Sequence, residues 1–490
     1  SAWKFSKDYH NFHVANAPLY PMFLSIFISL FGLKVIMLKA INVVFILLHI
    51  VFMYLAFRNR VSGFVLLIVL FFTAINSYFL YYASQTFTEA MALTLQGLFF
   101  LTAFKAYDKV VAGASLKDSW LQWLQLGLVM FLFSMARNIA VLAVPVVMLF
   151  LLIDKRFLAA AYALGGFIVW KIPFEVIKKM IWGDIGQYGG QSAILMLKDP
   201  YGSQTDPANK ETYSGFVTRF FNNADLYISK RMFQVLGFKS PDSTETSTAL
   251  VVFCLLLFAG ALYFILKNKN KYMLLPAIFA VALLSGTFVV LQTQWDQTRL
   301  VMVFIPVLLL IFFSGLYYSF KSMSSAAQIF PVMIMIVIFC SSFISTSKKT
   351  AANFPILKEN LAGNIYYGYT QDWVNYLQLS AYCADSLPST AYVAARKAPM
   401  SFIYAKGKQF YPVYSVFASD ADSVLATFKK EKVTHVIVAS LRRNPAMNDG
   451  MIINTMQRLL YPITQKYPQK LRLVKTQGDI EEAYLYEIVY

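Results

Sequence analysis

His13-Val14-Ala15-Asn16-Ala17-Pro18-Leu19-Tyr20-Pro21 leads into Met22-Phe23-Leu24-Ser25-Ile26-Phe27-Ile28-Ser29-Leu30-Phe31 and then Gly32. Each proline lacks an N–H and fixes φ, so neither suits a helix interior, but either can open a helix. The spacing predicts a helix from about Pro18 to Phe31, closed by Gly32. Roughly 14 residues are too few for a bilayer that needs about 20. An amphipathic helix lying in the membrane interface fits better. Asp8, His10, His13 and Asn16 stand at its mouth.

Ten apolar stretches follow, at about 35–57, 61–83, 88–104, 119–136, 138–153, 157–181, 248–266, 273–293, 299–319 and 327–345. The 490 residues are 58% hydrophobic and only 14% charged, too little charge to cover a soluble surface. The chain therefore reads as a polytopic helical membrane protein. Its net charge of +18 sits largely in short clusters between the apolar stretches, so it sets topology and gives no reason to invoke nucleic acid. Arg58-Asn59-Arg60, Lys105–Lys117, Lys155-Arg156, Lys267–Lys271 and Lys321 fall on one side, the expected cytoplasm. Residues 1–34, the long loop 183–246 and everything after Ser345 fall on the other. Cys254, Cys340 and Cys383 offer neither a disulfide framework nor a zinc spacing.

The chain begins at Ser1, with no signal peptide ahead of it. An external N-terminus without a preceding span is hard to insert, so a further span and part of the loop after it are expected upstream. The loop 183–246 has helical character around 213–236 and the length of a substrate-facing lid. Beyond Lys348 the sequence turns to α/β alternation. It predicts helices at 369–386, 399–404, 420–431 and 447–465, with strands at 391–397, 410–415, 433–440, 470–477 and 482–489. Thr434–Ser440 reads as a buried parallel strand, with His435 as a core residue. No Gly-rich phosphate loop follows any strand.

Charge at membrane depth is costly and usually functional. Glu89 opens the third span after Thr86-Phe87-Thr88. Arg137 lies in the turn between two spans, and Trp295-Asp296-Gln297-Thr298-Arg299 precedes the ninth. Both arginines are on the side that the basic clusters avoid. Arginine binds phosphate bidentately and stays charged, so an anionic lipid head group suits them. Two local alternatives stand: Glu89 as an ordinary first-turn acid, and Arg299 paired with Asp296.

Taken together, His13…Ala17-Pro18-Leu19-Tyr20-Pro21, Thr88-Glu89, Ser134-Met135-Ala136-Arg137-Asn138 and Gln297-Thr298-Arg299-Leu300…Ile305-Pro306 resemble the GT-C glycosyltransferases. The likeness is to bacterial relatives of protein O-mannosyltransferases and of the lipid A aminoarabinose transferase. It covers about 1–345, with 346–490 similar to the extracytoplasmic tail of such proteins through Ala395-Arg396-Lys397-Ala398-Pro399. It implies hexosyl or pentosyl transfer from a polyprenyl-phosphate-linked sugar to a protein, lipid or glycan acceptor. The protein would sit in the bacterial inner membrane, with residues 346–490 extracytoplasmic.

The candidate residues are Asp8 and Glu89 as catalytic carboxylates. Arg137, Arg299, His13, Asn16 and Tyr20 are candidates for donor binding, and His10, Trp295 and Asp296 for the cavity lining. A divalent metal is left open, with His10 or His13 able to help hold it. The family's catalytic carboxylate usually lies well before the Pro-Leu-Tyr-Pro motif. Asp8 is close to that motif, so the usual carboxylate is expected upstream and an impaired or truncated form is conceivable. A lipid-linked substrate transporter or flippase and a binding scaffold are the competing classes. No internal repeat or proton relay supports the transporter.

Overall fold

The computed structural model describes residues 17–115, 117–182, 212–241, 243–291, 295–321, 329–447 and 450–490. The predicted interfacial helix is α1, Leu19–Phe31, and Gly32 ends it with φ +73°, a conformation that glycine adopts without Cβ strain. Helices occupy all ten apolar stretches: α2 (Val35–Phe57), the pair α3 (Gly63–Ile75) and α4 (Ser77–Ala83), α5 (Glu89–Val111), α6 (Trp120–Ala136), a 3₁₀ turn Asn138–Leu142 running into α7 (Ala143–Ile153), α8 (Phe157–Trp182), α10 (Thr248–Lys267), α11 (Leu274–Val290), the pair α12 (Arg299–Met302) and α13 (Ile305–Phe320), and α14 (Ile329–Leu361). Between α8 and α10, the described part of the long loop holds α9 (Tyr213–Ala224), a π-helix Asp225–Met232 and a short turn Phe233–Val235. Among the described residues, six helices are long and apolar enough to cross a membrane, or seven if the bent α3–α4 pair is one span.

Helix α5 is the centre of the bundle. Of its apolar window 78% is buried inside the protein, against 17% for α10 and 22% for α2. Lipid tails are as apolar as leucine, so such helices associate by close packing rather than by escape from water. Gly127 on α6 and Gly166 on α8 show this directly: a Cβ on Gly127 would stand 2.1 Å from the Gly166 carbonyl carbon. Only paired glycines allow that backbone contact.

Three breaks in the helices bring chain ends to one end of α5. Asn76 bends α3 against α4 by 56°. Its amide donates to the Val235 carbonyl at 2.7 Å and to Ser342 Oγ at 2.8 Å, while its Oδ1 accepts from Tyr78 N–H. Arg137 leaves α6 in extended conformation, φ −145° and ψ 126°. The Val303–Phe304 break separates α12 from α13, and Gln96 of α5 donates to the Val303 carbonyl at 3.0 Å.

One helix boundary departs from the sequence expectation. Helix α14 runs on to Leu361 instead of closing near 345. Its polar continuation from Ser345 contains no glycine before Gly363, which takes φ +105°, and Pro355 lies inside the helix. The chain divides into two compact units, one of residues up to 30 and 36–349, the other of 31–35 and 350–490.

The second unit holds α15 (Gln371–Ser386), β1 (Val393–Ala395), α16 (Ala398–Tyr404), β2 (Phe410–Pro412), α17 (Ala421–Lys430), β3 (His435–Ala439), β4 (Leu441–Arg442), β5 (Ile452–Ile453), α18 (Thr455–Lys466), β6 (Leu471–Gln477) and β7 (Ala483–Ile488). Its sheet runs β2-β1-β3-β7-β6. The period-two alternation of strands divides the core: Val393, Ala395 and Ile437 pack in one cluster with α15 residues, Ala394 and Val436 in another with α17 and α18 residues. β3 is parallel to β1 but antiparallel to β7, a mixed setting rather than a purely parallel one. His435, at the start of β3, is half-buried and its Nδ1 lies 2.8 Å from Thr434 Oγ1. The helix expected at 447–465 starts only at Thr455, because Gly450 turns the chain (φ +73°) and β-branched Ile452-Ile453 pairs with Leu441-Arg442.

Candidate functional site

Tyr20, Glu89, Arg137 and Arg299 gather at the N-terminal end of α5. Tyr20 of α1 is buried and its hydroxyl exchanges hydrogen bonds with the Asn42 amide of α2, at 2.8 and 3.1 Å. Asn42 also donates to the carbonyls of Gln85 and Phe87. This ties the loop before α5 to α1 and α2. Glu89 follows that loop. It is 3% exposed, although Thr88 makes no side-chain cap and Glu89 occupies the first turn. Burial of a charged side chain is costly unless it is paired, and the helix dipole alone offers a carboxylate only about 0.3–1 kcal/mol at exposed positions. Glu89 Oε2 has no hydrogen-bond partner among the described residues.

Arg137 lies within electrostatic reach of both Glu89 and Arg299. Its Nη1 is buried and has no hydrogen-bond partner among the described residues. Arg299 sits over the Phe87 ring, 5.1 Å from the centroid, and its Nε donates to Gln297 Oε1 at 2.7 Å. Tyr82 senses both Glu89 and Arg299, and its ring centroid is 6.0 Å from that of Phe87. One carboxylate and two guanidiniums thus lie within electrostatic reach of one another where α5, the α6 terminus and α12 meet, with polar atoms left unsatisfied among the described residues. Buried polar groups are normally paired, so an unpaired acceptor and an unpaired donor within electrostatic reach of each other make this the candidate site.

Asp296 does not pair with Arg299. Lys230 Nζ reaches its Oδ2 at 2.7 Å, Arg231 Nε binds its Oδ1, and Arg231 Nη2 donates to its backbone carbonyl at 2.8 Å. Both partners lie on the π-helix, more than 60 residues upstream, out of reach of local sequence reasoning. Tyr227 of the same π-helix donates to the Trp295 carbonyl at 2.7 Å. Trp295 and Asp296 are therefore held as the anchor for the segment that presents Arg299. A π-helix of this kind is often found at functional sites. Asp8, His10, His13 and Asn16 lie outside the described residues, as does the loop from 183 to 211.

The π-helix also borders a cavity of about 970 Å³ between α9, α10, α11, α13 and α14. Ile228, Met232, Leu236, Val251, Phe288 and Phe312 line it, and its walls are almost wholly apolar. No group of three or more His, Cys, Asp or Glu side chains able to hold a metal exists among the described residues. The sequence reading missed Asn42, Tyr82, Lys230 and Arg231. A lone Asn in an apolar span was the available signal for Asn42.

Solved structures share the fold. Archaeal oligosaccharyltransferase AglB from Archaeoglobus fulgidus, in complex with an inhibitory peptide and a dolichol-phosphate, superposes with a TM-score of 0.53 at 12% identity over 87% of this chain and 61% of that one. The apo form of the Archaeoglobus fulgidus oligosaccharyltransferase gives 0.52 at 14% identity, over 87% of this chain and 62% of that one. The form tethered to an acceptor peptide containing the NVT sequon gives 0.50 at 12%, over 97% and 66%. The chain spans about three-fifths of the length of the first two of these proteins. No protein-family model matches the chain, and no curated protein does. The architecture is thus that of GT-C membrane oligosaccharyltransferases: a polytopic helical membrane protein with a C-terminal α/β domain.

Proposed function

We propose that the protein is a membrane glycosyltransferase that moves a sugar from a polyprenyl-phosphate donor to an acceptor outside the cytoplasm. One observation carries this reading: buried Glu89, with an unpartnered oxygen, shares electrostatic reach with Arg137, whose Nη1 is also unpartnered, and Arg137 with Arg299. In transfer the bond from the sugar's anomeric carbon to the phosphate oxygen breaks, and its electron pair leaves with the phosphate. The acceptor oxygen or nitrogen forms the new bond and its proton passes to a carboxylate. Arg137 and Arg299 stabilise the charge that gathers on the departing phosphate. Tyr20 borders the same edge, and Asp8, His10, His13 and Asn16 belong to this reading by their place ahead of α1. The apolar cavity beside the π-helix suits the prenyl chain, since its walls are almost wholly apolar and it adjoins the element that anchors Trp295 and Asp296.

The reading assigns about 1–345 to a GT-C-like membrane domain and 346–490 to an extracytoplasmic domain in a bacterial inner membrane. The fold of the oligosaccharyltransferases supports it, as does the dolichol-phosphate bound in one of them. The test is a proteoliposome assay with a labelled polyprenyl-phosphate sugar. Label moving to an acceptor peptide or glycan, without net movement of the lipid between leaflets, is the expected result. Lipid translocation with no sugar transfer would put a transporter in its place.

A further inference from the structure

The C-terminal α/β unit carries a second cationic centre. Strands β2, β1 and β3 are parallel, and β1 lies between the other two. The chain leaves β1 for β2 on one side, then returns past β1 to β3 on the other. The strand order therefore reverses between β1 and β3. In open α/β sheets, ligands bind in the crevice outside the carboxyl ends of strands at such a reversal.

Arg396 and Lys397 stand at the carboxyl end of β1. Ser440 stands at the end of β3, with Arg443 three residues beyond it. Arg396 Nε donates to Thr455 Oγ1 at 3.1 Å, which brings the first turn of the 12-residue helix α18 to the same place. Gln457 of that turn donates to Ser440 Oγ at 3.0 Å. Lys397 is half-buried, with Nζ 5.8 Å from the Trp373 ring centroid, and it feels both Arg396 and Arg443 as like charges. The nearby acids are occupied elsewhere: Asp372 and Glu481 both bind Arg442. Among the described residues, no carboxylate forms an ion pair with Arg396, Lys397 or Arg443. Arg396 and Lys397 are half-buried and Arg443 is exposed. Three neighbouring cations without a counter-ion among the described residues repel one another, and a multiply charged oxyanion would relieve that repulsion.

We propose that the carboxyl ends of β1 and β3 form a binding site for a phosphate or diphosphate group, with Arg396, Lys397 and Arg443 as its cations and Ser440 and Thr455 as hydroxyl partners. Guanidiniums grip such oxygens bidentately, and the free N–H groups that open α18 add to the field. The shared chemistry fits a soluble phosphorylated ligand or a phosphorylated lipid head group.

Lys397 reports on the site. Burial first, then the two guanidiniums, hold its ammonium below the usual lysine range, so it is readily acylated. The full chain in detergent is treated with a trace acylating reagent, with and without sodium pyrophosphate, and each lysine is read by peptide mass spectrometry. At roughly ten times the dissociation constant, Lys397 labelling should fall about tenfold, while Lys406, which pairs with Asp385, should not change. Arg299→Ala should keep the protection, which separates this site from the one at α5. Arg396→Gln with Arg443→Gln should abolish it, and Arg396→Lys with Arg443→Lys should keep part of it, which controls for misfolding. A second arm replaces pyrophosphate with phosphatidic acid vesicles. Protection by the inorganic anion alone assigns a soluble ligand, and protection by vesicles alone assigns a lipid head group. Protection by neither overturns the proposal, as does protection that survives in the double glutamine variant.

Discussion

The two ends of helix α5 both carry acids, and they are treated in opposite ways. At the Asp108 end both carboxylate oxygens are answered, although Arg60 Nε is buried without a hydrogen-bond partner among the described residues. Arg60 binds Asp108 Oδ2, Tyr272 donates to Oδ1 at 2.7 Å, and Arg60 lies over the Phe104 and Tyr272 rings at 4.8 and 4.9 Å. Asn270 closes the group through the Arg60 carbonyl at 2.7 Å and the Tyr318 hydroxyl at 3.0 Å. Close by in sequence, Asp154 takes Lys271 at 2.8 Å and Tyr107 at 3.0 Å. At the Glu89 end, a carboxylate oxygen and a guanidinium nitrogen are buried without partners among the described residues. The acid at one end of the central helix is paired through both oxygens, and the acid at the other keeps one oxygen unpaired among the described residues. On the proposed reading the Glu89 end keeps its polar groups for a ligand, while the Asp108 end fixes the helices that hold it.

The largest expected effect comes from breaking the unsatisfied end. If Glu89 takes the acceptor proton, Glu89→Gln should lower transfer by about 10²–10⁴. Glutamine keeps the size of the side chain and an oxygen that can accept from Arg137, so thermal stability should change far less than the rate. Side-by-side rate and melting measurements check this. A variant that melts early and keeps its rate would make Glu89 a structural group like Asp108. Next in size is Arg299→Ala, which removes one charged partner of the donor phosphate. Donor affinity should weaken by about 1.5–3 kcal/mol, read by equilibrium binding of the polyprenyl-phosphate lipid. Unchanged affinity would confine Arg299 to its contacts with Phe87 and Gln297.

The Asp108 end should answer the other way. Asp108→Ala leaves Arg60 with the Ala56 carbonyl at 2.6 Å and its two rings. The Asp108 carboxylate is 40% exposed, so the cost is discounted to about 1 kcal/mol. A fall of a few degrees in melting temperature with donor affinity intact is the expected result. Lost affinity at unchanged stability would mean the two ends are not separate in function.

Much of this contrast was legible beforehand, for physical reasons. Apolar stretches declare helices, and the prolines at 18 and 21 with Gly32 set the bounds of α1. Glu89, Arg137 and Arg299 stood out because charge beside apolar sequence needs a cause, and the fold brings them together. Pairing across the chain was not legible. Asp296 invited a partner three residues away, yet its cations come from a π-helix that no local spacing announces. Asn42 and Tyr82 looked like ordinary residues of apolar spans, since only the folded bundle turns them toward Gln85, Phe87 and Glu89. In the second unit, the hairpin Leu441–Ile453 was hidden because its strands are two residues each, too short for alternation to register.

The smallest effect extends the contrast to the second unit, where Arg442 is saturated while Arg396, Lys397 and Arg443 are not. Asp372, 2% exposed, accepts from Arg442 N–H and Nη1, both at 2.6 Å, and Glu481 Oε2 accepts from Nη1 at 2.7 Å. The Arg442 guanidinium holds the Glu481 carboxyl below its ordinary value of 4.5. A carboxyl whose value is lowered by folding contributes stability above its unfolded value and loses it as pH falls through the folded one. Glu481→Gln should therefore open the unit more readily at neutral pH. The gap between variant and wild type should shrink below about pH 4.5, where protonation silences the wild-type carboxylate too. Amide hydrogen exchange along α15, compared between the two proteins at each pH, measures that gap. A gap that stays constant from neutral to acid pH would show that Glu481 acts by packing rather than by charge. Saturation of Arg442 would then say nothing about why its three neighbours are left open.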